Sequence, residues 1–243
     1  MAPEGEALAI QSAAFGPANL QVATDRVWLA VIEAHSGRLA QAETDARQAL
    51  AYFDDHPDPG RADRPHIRTL LGGVLADAGK LADADAQIAR AAADLRAAHH
   101  ENAFLAFALD ALSDVALRRS QGARARDLAV EALPLIERTL DPGHPALAVA
   151  RVHAGAALWA AGAPADGERL LRAGLAALEP RFPNGHPDLA AAWLALGTLL
   201  QQDGRRADAR PLIEKAVRWR AAHFGAADPR TADAERVLKL SKP

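Results

Sequence analysis

The chain has 243 residues, half of them hydrophobic, and a formal net charge of −3. That near-neutral balance leaves no electrostatic footprint for nucleic acid, and the absence of cysteine excludes disulfides and thiol chemistry. No stretch reads as a charged-then-apolar signal or as an apolar run of about 18 residues that would cross a membrane. Aromatics make up 5% while alanine is abundant, and alanine is the best helix former, so the composition predicts an all-α chain.

Taken from the N-terminus, the predicted elements are a partial repeat over 1–18 and five helix–turn–helix repeats over 19–60, 61–101, 102–143, 144–185 and 186–227. A capping helix over 228–243 completes one solenoid domain, 1–243. The frame comes from two versions of one phrase, GHPALAVARVHAG (Gly143–Gly155) and GHPDLAAAWLALG (Gly185–Gly197), 42 residues apart. Stepping by 42, once by 41, lands on Ala30, Gly72, Ser113, Gly155 and Gly197. Twelve residues on stand Ala42, Ala84, Ala125, Gly167 and Ala209, and seven further Ala49, Ala91, Ala132, Gly174 and Ala216. Side chains this small let the two helices of a hairpin cross closely. A single hairpin cannot bury both its apolar faces, so hairpins stack.

Between the two helical stretches of each repeat come Gly37, Gly79, Gly162 and Gly204, with Ser120 and Gly122 in the third. Glycine takes the left-handed conformation that ends a helix, which predicts a corner there. Each repeat is then a helix A of about four turns and a slightly longer helix B. Pro145, Pro187 and Pro229 stand near the start of a helix A, where proline favours initiation. Pro134 lies inside a helix B and is expected to kink it, whereas Pro211 is expected near a helix start.

WLALGTLL (Trp193–Leu200) resembles the first-helix signature of the tetratricopeptide repeat, with Leu200 in place of tyrosine. Ala209, Ile213 and Ala216 resemble its second helix. The 42-residue step is longer than the usual 34 and is similar to the kinesin-light-chain-like branch, as are ARPLIEKAV (Ala209–Val217) and the linkers LDPGHPALA and HFGAADPRTA. The likeness is weaker in the first repeat, where Arg26 replaces tryptophan. It implies an α-α superhelix. AFGPANLQVA (Ala14–Ala23) mirrors HFGAADPRTA (His223–Ala232), so residues 5–14 read as the tail of a helix B. The expectation is the repeat region of a longer protein, with a short protein whose first helix is atypical as the alternative. The alanine- and arginine-rich usage suggests a bacterial source, and the expected location is cytoplasmic.

Chemistry-bearing patterns are scarce. His144 and His186 recur at the repeat period and read as structural. His99 and His100 face apart, while His35 and His153 are isolated, and no helix carries two histidines at i, i+4. Ser12, Ser36, Ser113, Ser120 and Ser241 lack the setting of a nucleophile, and Leu71–Gly73 lacks the spacing of a phosphate loop. The expectation is no enzyme, no metal and no cofactor.

The resemblance implies that helix A forms the inner wall and that a ligand segment lies along it. Its register puts Val27 and Val31, Thr69 and Gly73, Asp110 and Asp114, Val152 and Ala156, and Leu194 and Thr198 on that wall, flanked by His66, Phe107, Val149, Trp159 and Gln201. Trp159 reads equally as a residue buried between repeats. The Lys and Asn pairs with which chaperone-tail-binding members hold a carboxylate are missing. A wall that is apolar at both ends and acidic in the middle suits an apolar or basic segment of a protein or peptide, with Val152, Trp159 and Leu194 as anchors. Two alternatives stand beside this scaffold: a peptide-sensing receptor, and head-to-tail self-association.

Overall fold

The computed structural model describes residues 19–57, 63–99 and 103–240, together with Ile10, Ala13, Ala14 and Gly16. The partial repeat expected over 1–18 falls almost wholly outside the described residues, as do His100 and linker residues 58–62. Among the described residues there are eleven helices and no strand. They are α1 (Leu20–His35), α2 (Leu39–Asp55), α3 (Asp63–Asp77), α4 (Leu81–Ala97), α5 (Ala103–Arg118), α6 (Gly122–Thr139), α7 (Pro145–Ala160), α8 (Pro164–Arg181), α9 (Pro187–Gln202), α10 (Arg206–Phe224) and α11 (Pro229–Leu240). Odd-numbered helices hold the helix A phase and even-numbered ones the helix B phase. The chain forms two compact units, Met1–Phe104 and Leu105–Pro243.

Each A-to-B corner is built by the same hydrogen bond. The amides of Arg38, Lys80, Gln121, Ala163 and Arg205 donate to the carbonyls of Glu33, Leu75, Ala116, Leu158 and Leu200, at 2.8 to 3.0 Å. This Schellman closure needs a left-handed residue, supplied by Gly37, Gly79, Gly162 and Gly204 at φ of 78° to 89° and by Ser120 at 61°. In the third corner glycine has moved two places on, for a packing reason. A Cβ on Gly122 would lie 2.8 Å from the carbonyl oxygen of Ala160, so only glycine lets α6 start against the end of α7.

The small phases are contact points between backbones. A Cβ on Gly155 would stand 2.7 Å from the Gly167 carbonyl oxygen, and one on Gly167 2.6 Å from the Gly155 carbonyl oxygen. A Cβ on Gly72 or Gly197 would meet first the Ile88 or Ile213 side chain, at 2.2 and 2.7 Å, and then the Ala84 or Ala209 carbonyl, at 3.2 and 3.1 Å. In the third repeat the Ser113 hydroxyl fills the gap and donates to the Ala125 carbonyl at 2.8 Å. Around these crossings Leu71, Leu75, Ile88 and Leu95 form the core of the first unit, and Leu171, Leu178, Leu189, Leu196, Leu200 and Ile213 that of the second.

The histidine of the repeated Gly-His-Pro phrase is a helix cap. His144 Nδ1 accepts from the Ala146 amide at 3.1 Å and His186 Nδ1 from the Asp188 amide at 3.3 Å. At the same repeat phase Asn19 accepts from Gln21 and Asp228 from Arg230, both at 2.8 Å. Four side chains of three types thus satisfy the same orphan donor at a helix start. Pro145, Pro187 and Pro229 each follow as the first helical residue. Asp228 also pairs with Arg230, which lies 3.5 Å over the Phe224 ring and tightens the α10–α11 junction.

Helix B is tied to the next helix A by side chains 14 residues apart: Asp54 to Arg68, Glu137 to Arg151 and Glu179 to Trp193. A second tie reaches from a corner cation to a glutamate of the preceding helix B, Lys80 to Glu43 at 2.7 Å and Arg205 to Glu168 at 2.8 Å. The helix containing Pro134 runs on to Thr139 without ending, although the ring removes the amide that would bond Val130. Pro211 is the sixth residue of α10, inside the helix rather than at its start.

Candidate interaction surface

Which side of a helix A is free follows from its neighbours. Its small phase is taken by its own helix B, and its flank by the helix B before it. In the first unit the expected wall residues Val27, Val31 and Thr69 are partly exposed. Thr69 turns its hydroxyl back to the Pro65 carbonyl at 3.0 Å. His66 is exposed and tilts against Phe104 with ring centroids 5.2 Å apart.

In the second unit the expected residues divide. Phe107, Val149, Thr198 and Gln201 are partly exposed, and Thr198 donates to its own helix at the Leu194 carbonyl. Val152 and Leu194 belong to the core, 5% and 7% exposed. A Cβ on Gly174 would meet Val152 Cγ2 at 2.7 Å, so Val152 fills the hollow that Gly174 leaves on α8. Neither side chain offers a partner appreciable surface, which removes two of the three expected anchors. Trp159 combines both of its readings: its Cβ lies against Gly167 and its ring packs on the core, yet it remains partly exposed.

The acidic middle has its own cation. His153 Nδ1 on α7 lies 2.9 Å from Asp110 Oδ2 on α5, the side chains 25% and 13% exposed. Burial works against a charged ring, but the Asp110 charge and hydrogen bond outweigh it. With more distant help from Asp114 and Asp188 they push the ring up to about 10. It is an imidazolium at neutral pH. Asp114 faces Arg118 one turn along, at 3.5 Å. Carboxylates of α5 and α9 therefore surround one histidine of α7, with Asp114 and Asp188 the more accessible, at 31% and 39%.

The pattern of isolated histidines hid this pair, because its spacing of 43 is one repeat plus one residue. That offset is the signal that reveals it: side chains on successive A helices meet at the period and just beside it. Among the described residues no three histidine, aspartate or glutamate side chains gather in a way that would hold a metal ion. Nor is any described helix long and apolar enough to cross a membrane.

Comparison with known proteins bears on the same elements. The model of the tetratricopeptide repeat family matches residues 107–146 and 189–230. No curated protein sequence matches. Among solved structures, a putative kinesin light chain of Podosopora anserina with nearly identical TPR-like repeats aligns at 19% identity and TM-score 0.57, over 85% of this chain and 97% of that one. BtubC from P. vanneervenii aligns at 20% identity and TM-score 0.58, over 90% of this chain and 88% of that one. A Rap protein complexed with competence and sporulation factor aligns at 10% identity and TM-score 0.65, over 90% of this chain and 64% of that one. At these identities the likeness is one of fold.

Proposed function

We propose, from the premise that this is a tetratricopeptide-repeat chain with an all-α solenoid fold, that it is a non-catalytic interaction scaffold whose helix A wall docks a segment of another protein. The observation that carries the reading is the composition of that wall in the second unit. Partly exposed Phe107, Val149 and Trp159 provide apolar contact, and Asp114 and Asp188 provide accessible negative charge beside the Asp110–His153 pair. An apolar segment with a lysine or arginine complements such a surface. Val27, Val31 and Thr69 offer a second, less charged stretch on the first unit. A regulatory role within a larger bacterial, cytoplasmic protein fits the composition and is part of this reading.

The receptor alternative draws on one specific likeness, the fold shared with a Rap protein complexed with competence and sporulation factor. Against head-to-tail self-association stands Lys239. It occupies the phase that is Ala30, Gly72, Ser113, Gly155 and Gly197 in the five repeats, so a further helix B cannot cross α11 as closely.

The test is a displayed peptide library screened with the purified protein, followed by Asp114→Lys and by Arg169→Glu as a control on the exposed part of α8. Selected peptides should be apolar and basic, lose affinity about tenfold with Asp114→Lys and be indifferent to Arg169→Glu. Peptides that bind both variants equally would place the contact elsewhere. A fall in scattering radius on binding would favour the receptor.

A further inference from the structure

One position in the first helix pair departs from every other repeat. Glu33 of α1 occupies the phase held by Leu75, Ala116, Leu158 and Leu200, an apolar seam between helix A and helix B. It is 7% exposed, and its Oε2 has no hydrogen-bond partner. Facing it from α2 is Asp45, at the phase held elsewhere by Gln87, Leu128, Leu170 and Leu212. Asp45 is itself only 13% exposed and pairs with Arg26 of α1. Two carboxyls thus share a seam that the third, fourth and fifth repeats close with apolar side chains and the second with Leu75 and the neutral Gln87.

The cations available to them are few. Arg26 is engaged by Asp45, and Arg38, at the start of α2, reaches only to 4.0 Å from Glu33 Oε1. On α3, which also packs on α1, the buried Arg68 is turned to Asp54 and Gln87. Glu43 on α2 is held by Lys80 and Arg47. Among the described residues a second negative charge in this seam therefore has one distant cation to meet it and no donor for its outer oxygen. Burying an unpaired carboxylate is expensive, whereas a shared proton turns the same pair into a hydrogen bond.

We propose that Glu33 and Asp45 form a proton-operated latch in the first helix pair: while the pair holds a proton α1 stays seated on α2, and when both are ionised α1 loosens. Burial and the neighbouring Asp45 charge hold the Glu33 carboxyl above its ordinary 4.5, against the pull of Arg38. The sign follows from linkage. A carboxyl whose value is raised by folding contributes stability that is complete below the unfolded value and lost as pH rises through the folded one. Seating of α1 is therefore favoured by acid. Because α1 carries Val27 and Val31, the latch would also gate docking on the first unit, a consequence that rests on the proposed function; the latch itself does not.

The experiment is hydrogen exchange by mass spectrometry on the full chain between pH 5 and 8, each rate divided by the intrinsic amide rate at that pH. Peptides from α9 serve as the internal reference. Protection in 20–35 should fall at least about threefold relative to α9, one proton giving up to about tenfold per pH unit. Glu33→Gln, a neutral isostere, and Glu33→Leu, the residue of the second, fourth and fifth repeats, should both abolish the fall. A smaller fall in the unaltered chain, or one that Glu33→Gln retains, overturns the latch. Should Glu33→Leu fail to fold, the glutamine variant decides alone. No partner enters this measurement, so a failure of the docking reading leaves it untouched.

Discussion

Position 153 sits one residue past a wall position on α7, and its ring is worth more to the second unit than its sequence context suggests. The imidazolium is raised from 6.5 to about 10 because Asp110, Asp114 and Asp188 together overcome the cost of burying it. A histidine raised by folding contributes stability that is fully present below its unfolded value. That contribution is lost as pH rises through the folded value, so the pair should support the second unit across the neutral range and release it only towards pH 10. The ring resonances of His153 should accordingly show no titration between pH 6 and 9. In Asp110→Asn they should titrate at or below neutrality, and the loss of stability relative to the unaltered chain should be largest near pH 6 and shrink towards pH 10. A neutral-range titration of His153 in the unaltered chain would show that the carboxylates do not hold it.

Among elements, the pairing of helix A with helix B is decided by carbonyl oxygens rather than by side-chain fit alone. In the second to fifth repeats the crossing sets a tiny residue of helix A against the carbonyl twelve residues later, and in α7 and α8 the arrangement is reciprocal through Gly155 and Gly167. Gly167→Ala should therefore destabilise the second unit by roughly 2–3 kcal/mol, because the new methyl meets rigid backbone and cannot be absorbed by a rotamer change. Gly143→Ala, with nothing within 4 Å of its added Cβ, is the control and should move the midpoint little. Chemical denaturation of the two variants checks the contrast. This physics is also why the hairpins were legible in the sequence. A backbone contact tolerates only glycine, alanine or serine, and the constraint recurs at each repeat whatever surrounds it. The wall was less legible. Val152 and Phe107 differ by a fraction of a turn in the register taken from the resemblance, and that fraction decides between facing Gly174 and facing outward. The carboxyl seam at Glu33 and Asp45 went unread because each residue alone looks like an ordinary polar position on an amphipathic helix. Only the repeat phase shows that Glu33 replaces an apolar residue found in each of the other repeats and that Asp45 replaces a neutral, partly buried one.

For the whole molecule, stability should be additive along the chain. In a stack of hairpins each repeat contacts its neighbours, and the total is close to a sum of repeat and interface contributions. Here the interfaces are visible as the ties at 14 residues and the corner cations, each joining one repeat to the next. The unit Leu105–Pro243 has its own core around Leu171, Leu189 and Ile213, its own caps at His144, His186 and Asp228, and in α11 a further helix packed on α10. It contains what a self-standing stack requires. A fragment spanning 103–243, which keeps α5 whole, should therefore fold alone, with a helical far-ultraviolet spectrum and a cooperative melt. Within it, the Asp110–His153 pair should persist, since both partners and the supporting Asp114 and Asp188 come from α5, α7 and α9. A fragment that stays unfolded, or that folds but returns His153 to a neutral-range titration, would mean that the repeats are not energetically local.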